Sequence, residues 1–181
     1  MEFSELIKRR RSIHHFTEDE VTEEELNYVL EAAGWAPSAG NAQPWRFIVV
    51  KNPENREKVW RATADIPDVT PQNFVMKAPV RIIVCTDTSA YKGKQSRAFS
   101  NRFCIQDSAA ATMNLLLAAA DMGLGACWVG MFREEALSED FCIPPNVRPV
   151  AIVPLGHTRS QLKPRPRRPR EELVYEETWG N

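Results

Sequence analysis

Two runs of cations are the residues of this chain best suited to chemistry: Lys8-Arg9-Arg10-Arg11, followed by Ser12, and the proline-broken stretch over residues 163–170. Arg10, Arg11 and Ser12 offer guanidinium groups, a hydroxyl and backbone donors where a helix gives way to extended chain, which suits a phosphate monoester. The second run could close over the same anion. Residues 37–41 supply small side chains and one amide, permitting close approach of backbone to a flat ligand. Ala126-Cys127-Trp128-Val129-Gly130 ends a strand in a flexible glycine. Blander alternatives stand beside these: a helix end with cations favourably placed near its C-terminus, and a solvated arm over 163–170.

Other chemistries find less support. Gly123-Leu124-Gly125 with Gly130 has the third glycine of a dinucleotide fingerprint out of place, and it follows a helix and opens a strand where the fingerprint demands the reverse. No phosphate-binding GxxxxGK[ST] or metallopeptidase HExxH occurs. His14, His15 and His157 make no metal spacing with the cysteines. A Cys–His nucleophile pair is open from sequence, since such partners meet only in the fold. Cys85, Cys104, Cys127 and Cys142 read better as small core residues and reduced, buried thiols.

The elements that must position these residues belong to a single domain spanning 1–181, with 163–181 an extended C-terminal arm. Hydrophobic residues are 43% and charged residues 26%, with 23 basic against 24 acidic side chains, so net charge names no partner. No signal peptide is visible, and no stretch approaches the roughly 20 apolar residues that span a bilayer. These features predict a cytoplasmic protein without a membrane partner.

Residues 4–10 can form a short helix, and 12–16 read as extended. Thr22 and Glu25 have capping-box spacing ahead of Leu26, Val29, Leu30 and Ala33, one apolar stripe that ends at Gly34. Residues 36–44 should be a loop leading into a strand at 46–51. A helix follows over 54–64, and 65–77, without a clear period, is expected to be loop or lid. Residues 80–86 read as a continuous apolar strand. A long helix over 98–122 is apolar nearly all round and must be buried on several sides, for which a second subunit is a natural cover. Further strands at 126–129 and 149–155 flank a short helix at 134–140. Four strands with helices around them make a three-layer α+β protein.

Four segments in order, Arg10-Arg11-Ser12-Ile13, then Ala36-Pro37-Ser38-Ala39-Gly40-Asn41-Ala42-Gln43-Pro44-Trp45, then Gly123-Leu124-Gly125-Ala126-Cys127-Trp128-Val129-Gly130, and finally Arg165-Pro166-Arg167, resemble the nitroreductase family of flavoproteins. The resemblance implies an α-β-α fold with a central, mostly antiparallel sheet and a long dimer-interface helix. It implies a homodimer with two FMN sites at the interface. Arg10, Ser12, Arg165 and Arg167 would hold the FMN phosphate, and Arg11 would lie along the ribityl chain. Pro37, Ser38, Ala39 and Asn41 would reach the flavin of the other subunit. Trp128, Val129 and Gly130 would lie on the flavin face opposite the nicotinamide. NADH or NADPH would reduce FMN and leave, and a nitroaromatic, quinone or similar acceptor would then take the electrons. The cofactor does this chemistry, so no catalytic side chain and no metal ligand is assigned.

One position departs from the family pattern. The motif commonly reads Arg-Arg-Ser-x-Arg, sometimes with Lys last, and here ends in His14. Relatives aim that cation at the pyrimidine end of the flavin, so His14 would give the site a titratable charge. It could instead pack against the ribityl chain while another cation such as Lys77 serves the pyrimidine. Two further readings remain open: a flavin-binding or storage protein without turnover, and a nucleic-acid-binding module using the basic tail. The second is disfavoured because its cations are few and proline-broken, so no nucleic-acid partner is expected.

Overall fold

The computed structural model describes residues 2–93 and 98–180. Its elements run α1 (Phe3–Arg9), α2 (Glu23–Gly34), β1 (Trp45–Val50), α3 (Pro53–Ala64), α4 (Asn73–Lys77), β2 (Val80–Asp87), α5 (Ser100–Asp121), β3 (Gly125–Ala126), α6 (Glu134–Asp140) and β4 (Val147–Gly156). One sheet has the order β1-β2-β4-β3, and every named pair is antiparallel. A single parallel bridge joins Ser12 to Ala126 outside β3, so the chain after α1 extends that edge.

Alternation along β2 and β4 divides the core into two layers. Ile82, Val84, Ala151, Val153 and Leu155 face α2 and α5, packing with Val29, Ala33, Ala111, Leu115 and Ala119. Ile83, Cys85 and Ile152 face α3, α4 and α6, packing with Val59, Ala62, Val75 and Leu137. Period-2 side chains covered on both sides give the α-β-α sandwich. The Thr22 capping box forms as expected: Glu25 N–H donates to Thr22 Oγ1 at 3.2 Å, and Thr22 N–H to Glu25 Oε2 at 2.8 Å.

Four expectations are corrected. The segment 65–77 is not all loop, because it contains α4. This five-residue helix is held from outside: Arg81, on the sheet, donates from Nε to the Val75 carbonyl at 2.6 Å and from Nη2 to that of Met76. Arg81 also interrupts what read as a continuous apolar strand, and only 1% of it is exposed. Cys142 is exposed, unlike the other three cysteines. It sits at φ 51° just past α6, where Cys142 N–H donates to the Glu139 carbonyl and Ile143 N–H to that of Ser138, a Schellman turn. The expected strand at 126–129 is shorter: β3 stops at Ala126, and Val129 makes an isolated bridge to Ile152.

Finally, α5, at 22 residues and by its apolar composition, is long enough to cross a bilayer. Half of that apolar stretch is buried inside the domain, against α2 and the sheet, which is how a core helix is used. Ile105 and Met113 on α5 stay exposed, as do Phe3, Trp35 and Trp179 elsewhere.

Candidate functional site

The site begins with the turn out of α1. Arg10 closes that helix by donating its N–H to the Leu6 carbonyl at 3.0 Å. Arg11 Nη1 donates to the carbonyls of Lys8 and Arg10, at 2.5 and 2.7 Å, quieting the helix's open C-terminal end. Ser12 and Ile13 then dock on β3, with Ile13 N–H donating to the Ala126 carbonyl at 3.0 Å. Close approach is possible because Gly125 lacks a side chain: a Cβ there would stand 2.8 Å from Ile13 Cγ2 and 3.0 Å from Thr158 Cγ2. The same glycine therefore admits both the N-terminal segment and the stretch that follows β4.

Between these two segments lies a cavity of about 560 Å³, within the range of about 300–1,000 Å³ typical of small-molecule sites. Arg10, Arg11, Ser12, His14, Arg165 and Arg167 all line it, and so do His15, Cys127, Leu162 and Lys163. Five of these side chains are permanent cations and none is a carboxylate. Such a wall repels itself unless an anion is present, and guanidinium groups match phosphate oxygens two at a time. Arg11 Nε is buried without a hydrogen-bond partner among the described residues, a donor left for a ligand. The donor set and the volume both fit a flavin mononucleotide, whose phosphate needs cations and whose ribityl chain needs polar neighbours.

His14 stacks on Phe74 of α4, with ring centroids 4.2 Å apart, and its Nε2 is 3.4 Å from Cys127 Sγ. Burial, then the neighbouring His15 and Arg165, push its pKa below the ordinary value, so the neutral ring is favoured. Burial likewise pushes the Cys127 thiol up, against the Ser12 hydroxyl and Arg10. A thiol held protonated is a poor nucleophile.

The remaining expected site residues are elsewhere in this single chain. Pro37, Ser38, Ala39 and Asn41 lie in and beside a 3₁₀ turn and do not line the cavity. Nor do Trp128, Val129 and Gly130: Val129 is buried in the core layer below α6, while Trp128 and Gly130 are exposed just beyond Cys127. Sequence reasoning missed Cys127, His15 and Phe74 as neighbours of the site. Lys163 lies within the second flagged run, and His15 follows His14 and could have been included, whereas nothing local ties Phe74 to His14.

Comparison with known proteins agrees with this architecture. Residues 7–157 match the model of the nitroreductase family. A Methanothermobacter thermautotrophicus protein, provisionally named an NADH dehydrogenase/NAD(P)H nitroreductase, is 42% identical over 87% of this chain and 78% of its own. An FMN reductase (NADPH) of Bacillus subtilis is 28% identical over 97% of this chain and 74% of its own. The crystal structure of a nitroreductase family protein from Clostridium difficile superimposes with a TM-score of 0.81 at 30% identity, covering 98% of this chain and 99% of the other. With the sandwich, the docked Arg10–Ile13 segment and the cationic cavity, these matches establish that the chain belongs to the nitroreductase family of oxidoreductases.

Proposed function

We propose that this protein is an FMN-dependent NAD(P)H oxidoreductase that works as a cytoplasmic homodimer. One observation carries the reading: the segments around residues 10 and 165 converge on a cavity lined by Arg10, Arg11, Lys163, Arg165 and Arg167, with no carboxylate among the described lining residues. Arg10, Ser12, Arg165 and Arg167 hold the FMN phosphate, and Arg11 lies along the ribityl chain. His14 is directed to the pyrimidine end, kept in place by its stack on Phe74. When bound, FMN supplies the redox chemistry, taking reducing equivalents from NADH or NADPH and passing them to a nitroaromatic, quinone or similar acceptor.

The partner subunit's loop over residues 37–41 completes each site, and the partner covers the exposed Ile105 and Met113 of α5. The names of the Methanothermobacter and Bacillus relatives support the nicotinamide donor and the flavin. Visible absorption of the purified protein, with and without added FMN, tests the cofactor, and oxidation of NADH or NADPH with menadione tests turnover. A chain that neither quenches FMN fluorescence nor shifts its melting temperature at saturating FMN overturns the reading.

A further inference from the structure

We propose that Asp107, on α5, is a positioning residue that holds the loop over residues 37–41 in its flavin-facing shape. The proposal rests on the reading above that this loop reaches the partner's flavin. Asp107 is 8% exposed and Tyr91 1%. The Ala39 N–H donates to Asp107 Oδ2 at 3.0 Å, and the Tyr91 hydroxyl donates to the same oxygen at 2.9 Å. Among the described residues no cation pairs with this buried carboxylate. A buried charge without a counterion is costly, so its neutral donors must satisfy it.

The loop needs an external hold. Gly40, Asn41 and Gln43 all lie in the left-handed region, at φ 60°, 53° and 47°, and two of the three carry a Cβ. Such a run persists only where surrounding bonds over-determine it. Within the loop, Asn41 N–H donates to the Ser38 carbonyl and Gln43 N–H to Ser38 Oγ, both at 3.0 Å. At its far end Arg46 of β1 donates from Nη1 to the Gln43 carbonyl at 3.0 Å, and the tie of residues 37–41 to α5 is Asp107. Two turns further along the same face of α5, Asn114 Nδ2 donates to the Ala32 carbonyl at 3.1 Å, near the end of α2. One helix face thus grips the segment where it leaves α2 and again at its middle.

The test uses the full-length dimer, with Asp107→Leu and Asp107→Asn as variants. Leucine removes the acceptor, whereas the single asparagine carbonyl oxygen can still accept from both donors. The expected result for Asp107→Leu is at least about tenfold faster hydrogen exchange at the Ala39 amide. FMN and riboflavin should weaken together by about tenfold, because the loop faces the ring and not the phosphate. Asp107→Asn should restore both properties. In the wild type the Ala39 amide should exchange more slowly than that of Gly40, a comparison needing no variant. The proposal is overturned if wild-type Ala39 exchanges as fast as Gly40, or if Asp107→Asn behaves like Asp107→Leu. Faster exchange in Asp107→Leu with unchanged flavin affinity also overturns it. A wild type that binds neither flavin defeats the cofactor reading instead, while the exchange comparison still decides whether Asp107 holds the loop.

Discussion

Replacing Gly125 by alanine should damage stability and cofactor binding through one methyl group. The added Cβ would lie 2.8 Å from Ile13 Cγ2, 3.1 Å from Ile13 Cβ and 3.0 Å from Thr158 Cγ2. Ile13 is β-branched and stiff at χ1, so turning the side chain does not relieve a clash that includes its Cβ. The segment must move, and with it the bond from Ile13 N–H to the Ala126 carbonyl. Overpacking of this kind costs roughly 1–3 kcal/mol, and the stiffer unfolded chain offsets roughly 0.4–1 kcal/mol of it. A net loss of about 1–2 kcal/mol corresponds to a melting temperature lower by about 3–6 °C in a chain of this size. Gly34→Ala, where a Cβ meets nothing within 4 Å, is the control and should be neutral or stabilising. Differential scanning calorimetry of the cofactor-free proteins measures the first effect, and fluorescence titration with FMN the second. A Gly125→Ala protein that melts at or above the wild-type temperature refutes the packing argument. One that melts lower yet binds FMN with unchanged affinity refutes the link from Gly125 to the cavity.

Arg10→Ala and Arg167→Ala should each weaken FMN by about tenfold or more while leaving riboflavin nearly unaffected, since only FMN carries the phosphate; equal weakening of both ligands refutes the assignment. Light scattering at micromolar concentration should give the mass of two chains with FMN bound, and a monomeric mass refutes the shared site. His14→Arg should raise the flavin midpoint potential more at pH 8 than at pH 5 by spectroelectrochemistry. Burial, then His15 and Arg165, depress the His14 pKa below 6.5, so the wild type lacks this charge at pH 8 and regains it only as the pH falls through that lowered pKa. Equal shifts at the two pH values, or none, refute it. The same depression means that the unfolded chain binds the proton more readily, so His14 should subtract from stability as pH falls from 6.5 through its folded pKa.

What could be read from sequence was what is stabilised locally. The Thr22 and Glu25 box and the seven residues of α6 were visible because capping and period act within a few residues. The helix α4 was invisible because its carbonyls are held by Arg81, a buried guanidinium on a strand that otherwise reads as apolar. The two cation runs stood out by composition. That the second run could close over the same anion was suggested by composition, but pairing residue 10 with residue 165 came through the family resemblance, because no local interaction joins the two segments. For the loop over 37–41 the gap is larger: its backbone turn and its tie to Asp107 are in this chain, but the flavin it is proposed to touch belongs to a second copy.

A wall built from both ends of the chain also imposes an order on assembly. Joining residues near 10 to residues near 165 directly would carry a loop-closure cost on the order of 4 kcal/mol. Most of that cost is met earlier, when residues 12–13 dock on β3 and β3 pairs with β4. Only the short stretch from the end of β4 at Gly156 to Lys163 then has to close. On a ribosome the sandwich core through β4 can collapse while residues 163–167 are still emerging, so the cation wall forms after the sheet. On the proposed reading, FMN would load only once residues 163–167 have emerged. An effect of FMN on folding yield would be felt when the wall closes, not during formation of the sheet.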